Sequence, residues 1–568
     1  MLEHLIFLFY IFLFLFSIIG YGLIFSKVFC KDLNFLDFGC QGIIGFYTLY
    51  TISLLTTFFF AHNYIFNSLI HLIGIISFLF FFKKNKISFT KQSKNILIFS
   101  LILIVGIYVF KNHDDFPYYH LTYSLNLSNN PFIAGTGVFS HGFKTSSSLF
   151  YFHSLLYMPL IDFYLFHAGP FFIMIYFNFH VLKKLRSKYL SNEIDFIYFF
   201  SLLNLIFVNV VFYRLGEHGT DRSAQILLFI IFITFFELLL NKKDSFEKNK
   251  LINFLLVGIF LAASMKALFY IYLILVPIIL FRKSFFGSYV KNIKNYKLLA
   301  ILIVSFSFTI GTNFLSTGCL LYPAEKTCLG NFDWSVPKNQ VKEMKTHYEW
   351  WAKAGGGPGF KVNMSKEEYV KDFNWVKGWI DRHFFNKVSD TLLGIIAISV
   401  LVILLFKDKK IRKFRMKDFI LVYLILLFFL MEWFLNHPSM RYGGFVLISL
   451  PIFILSSQLL ETFNVSNRKK VLVVSIIFIS LTFLIYNGRN FVRLNKEINF
   501  YNYNIIQSPF FYTKNVESKV IYEDDKFKIY TPIKNMCWSS LTPCSYAKNL
   551  QVTNFFHIKV VQNKKIEP

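Results

Sequence analysis

The chain has 568 residues, of which 55% are hydrophobic, 20% aromatic and only 16% charged. A soluble fold cannot hide that much apolar surface, so the composition excludes an ordinary globular domain and points to an all-α polytopic membrane protein; a β-barrel would show short alternating segments instead. The formal charge of +27 does not imply a nucleic-acid partner, because the Lys and Arg collect in clusters between apolar runs, where membrane orientation and contact with membrane lipid account for them.

Apolar runs of the length a spanning helix needs, roughly 17–25 residues, predict about 13–14 transmembrane helices. In chain order they are Leu2–Ile24, Gln41–Phe60, Tyr64–Phe82, Ile96–Phe110, Ala168–Leu182, Ile194–Phe212 and Ser223–Leu240. Leu251–Ala263 and Ala267–Phe281 follow, and this pair also reads as one bent helix around Ser264-Met265-Lys266. Leu298–Ser316, Thr391–Phe406, Phe419–Leu435, Gly444–Leu460 and Val471–Tyr486 complete the series. The first run lacks a basic leader and reads as a retained helix.

Basic clusters at Lys83–Lys94, Lys183–Lys188, Lys242–Lys250, Arg282–Lys297, Lys407–Lys417 and Arg468–Lys470 are expected on the cytoplasmic side. Alternating the spans between them puts the N-terminus and the C-terminus outside. The expected organisation is an N-terminal transmembrane region over 1–316 with an acidic outer loop at 111–148. An outer insertion follows at 317–390, then transmembrane helices at 391–486 and an outer tail at 487–568 that forms a small β or α/β cap. Cys319, Cys328, Cys537 and Cys544 all fall outside, where local bridges can form, although spacing alone leaves four unpaired cysteines open. The insertion, rich in Trp350, Trp351, Trp375 and Trp379, reads as an amphipathic segment touching the membrane interface.

Polar islands at the helix mouths carry the candidate chemistry. The first is His113-Asp114-Asp115-Phe116-Pro117-Tyr118-Tyr119-His120. A carboxylate there can act as general base on a hydroxyl, or hold a hard divalent ion such as Mg²⁺ or Mn²⁺; helix capping is the plainer role. Downstream, His141, Lys144, the Thr145–Ser148 hydroxyls and His153 suit a phosphate oxygen or, equally, cap the next helix. The second island holds Glu217, His218, Asp221 and Arg222, either joining the first around one cleft or anchoring the following span. Lys266 lies amid apolar residues, where a lipid phosphate or snorkelling to the surface would satisfy it. Arg441 stands in an outer turn before a helix N-terminus and can grip an anion there, or rest on lipid headgroups.

With its many helices and the carboxylates Asp114 and Asp115 at a helix exit, the chain resembles the GT-C superfamily of integral-membrane glycosyltransferases. It is also similar, through Gly318-Cys319-Leu320-Leu321-Tyr322-Pro323, the Pro438–Arg441 turn and the Cys537–Cys544 tail, to a group of poorly characterised bacterial membrane proteins. The GT-C resemblance implies a bacterial inner-membrane enzyme using a polyprenyl-phosphate-linked sugar, with a surface glycan, lipid or protein as acceptor. It makes Asp114 or Asp115 the catalytic carboxylate. His120, His141, Lys144, Glu217, His218, Asp221 and Arg222, with Lys266 and Arg441 as donor-phosphate contacts, would form the binding set. A polysaccharide polymerase or ligase, and a lipid-linked sugar transporter or flippase, are the other expectations. This chain differs from typical GT-C patterns in placing four spans before the acidic loop.

Overall fold

The apolar runs of the sequence lie mainly on helix among the described residues, because inside an apolar solvent a chain can satisfy its backbone hydrogen bonds only within itself. The computed structural model describes residues 1–109, 115–216, 219–240, 245–281, 293–330, 332–355, 362–409, 414, 419–463, 467–524, 527–534 and 536–564. Among the described residues nine helices are long and apolar enough to cross a membrane, and Phe196–Val211, Ala267–Phe281 and Ile420–Asn436 are shorter apolar helices. The fuller count expected from sequence is not reached by length and hydropathy. Gly169–Leu190 ends in Lys183, Lys184, Arg186 and Lys188, and Lys86–Leu103 starts inside a lysine-rich stretch.

The helices sort by burial. Phe38–Thr56, Gly219–Leu240 and Ser245–Met265 are 83% buried over their apolar windows and form the centre, whereas Tyr64–Lys84 and Val376–Phe406 bury only 28% and 22%. On the peripheral Tyr64–Lys84 helix, Leu69, Leu72, Ile76 and Leu79 form an exposed row at helical spacing, the face a lipid-contacting helix presents. At the centre, Leu2–Phe29 and Phe38–Thr56 meet through Gly22 and Gly45, where a Cβ would fall within 2 Å of a facing carbonyl. Small residues at such crossings let backbones approach and gain van der Waals contact.

Three elements differ from the sequence expectation. The run expected at Ile96–Phe110 is helix from Lys86 to Leu103 and a short turn at Val105–Tyr108; Asn85 alone separates it from the preceding helix, because the lysine-rich stretch itself continues helical. The span expected at Thr391–Phe406 begins at Val376, with a π-helical stretch Ile380–Val388 feeding into Ser389–Phe406. The last helix runs from Arg468 through to Tyr501 and does not stop at Tyr486, where the hydropathy falls; its continuation, rich in Asn and with Gly488, is a weak helix former and is held by tertiary contacts such as Asn487 Nδ2 to Ile102 O at 2.9 Å and Arg489 Nη1 to Val210 O at 2.7 Å.

The tail is a small β cap with a docking role. Ser518–Asp524 pairs antiparallel with Phe527–Pro532, and Leu550–Phe555 with Ile558–Asn563. The latter strand also pairs in parallel with Ile133–Ala134, so the cap is stitched to the 111–148 stretch that carries Asp115. Cys319–Cys328 and Cys537–Cys544 are disulfides, and Cys30 and Cys40 are buried thiols.

Candidate functional site

Four charged side chains from four elements converge at one end of the bundle. Asp115 precedes the π-helical turn Phe116–His120, whose Pro117 presets the backbone for the helix that continues through Asn129. Asp221 lies in the first turn of Gly219–Leu240. Lys266 occupies the extended break between Ser245–Met265 and the 3₁₀ segment Ala267–Ile274. Arg441 sits in the turn before Gly444–Glu461, a turn that requires glycine at 443, where φ is +98°.

Asp221 is the hub. Its side chain is fully buried, and its two oxygens are divided between Lys266 Nζ on one side and Arg441 Nε at 2.6 Å on the other. Arg441 extends an Nη to Asp115 Oδ2 at 2.8 Å. One turn along from Asp221, Gln225 donates to the Arg441 carbonyl at 3.0 Å, so residues at i and i+4 grip both ends of that arginine. Burial works against charge on Arg441, yet Asp221, the Tyr442 phenol and Asp115 together raise its pKa further. Asp115 is the outlying member, its side chain a quarter exposed.

Side chains from the insertion and from the Ile420–Asn436 helix hold the arginine turn. Trp379 Nε1 donates to Pro438 O at 2.6 Å, Trp433 Nε1 to Ser439 O at 3.0 Å, and the Met440 amide to His383 Nε2 at 3.3 Å. None of Trp379, Trp433, His383 or Gln225 stood out as functional in the sequence. Trp379 reads there as an interface anchor, and only its spacing from the Pro438 turn in the fold discloses its partner. Replacing Trp379 with Phe leaves the Pro438 carbonyl unsatisfied, an expected cost of about 1–3 kcal/mol. Thermal unfolding of the detergent-solubilised protein should register it as a lower midpoint.

On the Asp115 side the cap takes part. The Trp538 amide donates to Pro117 O at 2.8 Å, Thr122 Oγ1 donates to Trp538 O at 3.2 Å, and the Tyr546 amide donates to Phe139 O at 2.9 Å. The Cys537–Cys544 loop therefore clamps the helix that carries Asp115.

The remaining expected residues separate into three groups. His120 is buried beside Phe150 next to the charged cluster, and its Nε2 has no hydrogen-bond partner among the described residues. His141 faces Tyr348 of the insertion, 3.0 Å from its hydroxyl, and Lys144 lies a turn away. Arg222 Nη1 donates to the Arg214 carbonyl at 2.7 Å, which ties the chain on either side of the second island. His153 is a core residue whose Nε2 accepts from the Gly169 amide. Asp114, Glu217 and His218 lie outside the described residues.

Burial, joined for His141 by the Lys144 charge, pulls both His120 and His141 down to about 4. An unfolded histidine titrates near 6.5, so between about pH 4 and 6.5 the unfolded chain holds more protons than the folded one. Stability should consequently rise with pH across that window and be lost as pH falls through it. A melting series from pH 7 to pH 4.5 should show this slope, and His141→Gln should make it shallower.

As a metal site the described cluster does not fit a hard divalent ion. Both oxygens of Asp221 are taken, and Asp115 gives Oδ2 to Arg441. Among the described residues the grouping of metal-type donors is elsewhere: Asp37, Cys40 and His180, near Lys183 and Lys184. There Asp37 caps the Phe38–Thr56 helix, and Asp37 Oδ2 and Cys40 Sγ both bond to the same His180 nitrogen, Nδ1. A catalytic relay would use the two ring nitrogens separately.

The model of one family, domain of unknown function (DUF8201), matches residues 1–448. The chain belongs to this family. The match covers Asp115, Asp221, Lys266 and Arg441 and ends before the last long helix and the β cap. No curated protein and no solved structure matches the chain.

Proposed function

We propose that this DUF8201 protein is a glycosyltransferase of the cell envelope. In this reading it crosses a bacterial inner membrane many times, with both termini and the charged cluster on the outer face, and draws on a polyprenyl-phosphate-linked sugar. The observation that carries the reading is the Asp115–Arg441–Asp221 chain: a partly exposed carboxylate shares one arginine with a buried carboxylate. Asp221 fixes the arginine, and Asp115 is the partner an incoming anion can displace.

In the reaction, the donor's phosphate group competes with Asp115 for Arg441 and draws on the Lys266 charge. Asp115, released, accepts the proton of the acceptor hydroxyl. The acceptor oxygen bonds to the anomeric carbon as the bond from that carbon to the phosphate oxygen breaks. The lipid phosphate leaves as an anion facing Arg441 and Lys266, whose fixed charges stabilise it as it forms. The acceptor is a surface glycan, a lipid or a protein. Mg²⁺ or Mn²⁺ would need donors beyond those described, and no step is routed through it.

Placement of the charges favours this over a flippase. Asp221 is in the first turn of its helix and Lys266 follows the last residue of another, whereas a translocation path calls for charges deep in mid-span. The test is a deletion strain examined by mass spectrometry of surface glycans and lipid-linked sugars. A missing sugar with accumulated lipid-linked donor is the expected result, and it also separates a transferase from a polymerase, whose loss shortens chains without removing a sugar type. Unchanged glycans under conditions of normal expression would overturn the reading.

A further inference from the structure

Three separate stretches of chain line a half-open cavity of about 200 Å³. The 137–144 loop contributes His141 and Lys144, the start of the insertion helix contributes Pro337 and Gln340, and the C-terminal cap contributes Asn563. Amide and imidazole groups against an apolar wall suit a polyhydroxylated ring, which offers both hydroxyls and C–H faces.

Lys144 is the group this cavity leaves unexplained. It is partly buried, and burial alone lowers its pKa. Other partly buried lysines face carboxylates: Lys184 meets Glu237, Lys188 meets Asp195, Lys266 meets Asp221 and Lys353 meets Glu349. Among the described residues no carboxylate stands within ion-pair distance of Lys144, whose ammonium instead lies over the neutral Tyr322 ring, 6.0 Å from the ring centroid. A cation kept partly out of water at the edge of a cavity is stabilised by an anion that enters it. His141 links the cavity to the cluster: it lines the space, faces Tyr348, and feels the charge of Asp115.

We propose that this cleft is a subsite for a sugar residue bearing an anionic group, a carboxylate or a phosphate, with Lys144 as the anchor and Gln340 and Asn563 as hydroxyl contacts. It rests on the transferase reading and names its acceptor class: an acidic sugar at the growing end of a glycan. The β cap, which lies beyond the family match, then helps select that acceptor through Asn563.

The test uses the full-length protein in detergent and saturation-transfer NMR titrations with glucuronate, glucose 6-phosphate and glucose. At least one anionic sugar is expected to bind about tenfold more tightly than glucose, with Lys144→Gln removing the preference and Lys144→Arg keeping it. Whichever anion binds more tightly identifies the carboxylate or the phosphate as the source. Equal binding of all three probes to the wild type overturns the proposal without any variant. So does a preference that survives in a Lys144→Gln protein of unchanged melting temperature. Binding is read without turnover, so failure here leaves the Asp115 chemistry standing, and failure of the glycan phenotype leaves the binding result standing.

Discussion

Asp115→Asn should abolish sugar transfer while leaving the protein folded and at normal levels in the membrane. The substitution keeps the shape and one oxygen for Arg441, but it removes the negative charge and the ability to take a proton. General-base catalysis contributes on the order of 10²–10⁴-fold, so glycans from cells carrying this variant should lack the sugar as completely as those from the deletion strain. Folding is expected to survive because the Asp115 side chain is a quarter exposed and Arg441 retains Asp221. Glycan profiling alongside quantified membrane protein checks both halves. Full modification by Asp115→Asn would remove this residue from the chemistry, leaving Asp114 for the same experiment.

Asp221→Asn should have the opposite character, a loss of the fold ahead of any loss of chemistry. The Asp221 carboxylate is fully buried and balances two cations. Removing one partner of a buried pair costs about 3–5 kcal/mol, because it strands charge rather than because the pair itself is strongly stabilising. Lys266 and Arg441 are each about a quarter exposed, which puts the expectation near the lower end. The stranded-charge account makes a further demand: adding Lys266→Met to Asp221→Asn should recover part of the loss, since Arg441 still holds Asp115. Thermal unfolding in detergent measures both variants. A double variant less stable than Asp221→Asn alone would contradict the account.

Helices were legible in the sequence wherever apolar length decided the matter, and illegible where it did not. Hydropathy locates Leu2–Phe29 and Gly444–Glu461 closely. It ends the last helix at Tyr486, fifteen residues early, because the Asn-rich continuation is held helical by contacts to distant parts of the chain, Asn487 to Ile102 and Arg489 to Val210, that neither hydropathy nor propensity discloses. The site was legible as residue types at helix mouths: Asp115, Asp221, Lys266 and Arg441 all stood out as charges near apolar runs. Their pairing was not, since Asp221 meets Lys266 across 45 positions of chain and Arg441 across 220, and Arg441 meets Asp115 across 326, contacts that only tertiary structure makes. Roles changed with it. Lys266 and Arg441, expected as ready phosphate contacts, arrive already paired with carboxylates, while Lys144, which the sequence could equally assign to a capping loop, faces no carboxylate among the described residues and lines a cavity. Trp379 shows the same limit from the other side, because a tryptophan near an interface gives no sign of which carbonyl its indole N–H will find.

The most direct measurement is release of polyprenyl phosphate from the cell's own lipid-linked sugars by the purified protein in lipid nanodiscs. Wild type and Asp115→Asn would be compared at equal concentration, in the presence of an envelope extract supplying acceptors. The account predicts time-dependent release coupled to labelling of an acceptor by the wild type, and a loss of at least about 100-fold in Asp115→Asn. Equal release by the two proteins, or transfer that continues in the absence of any lipid-linked donor, would contradict it.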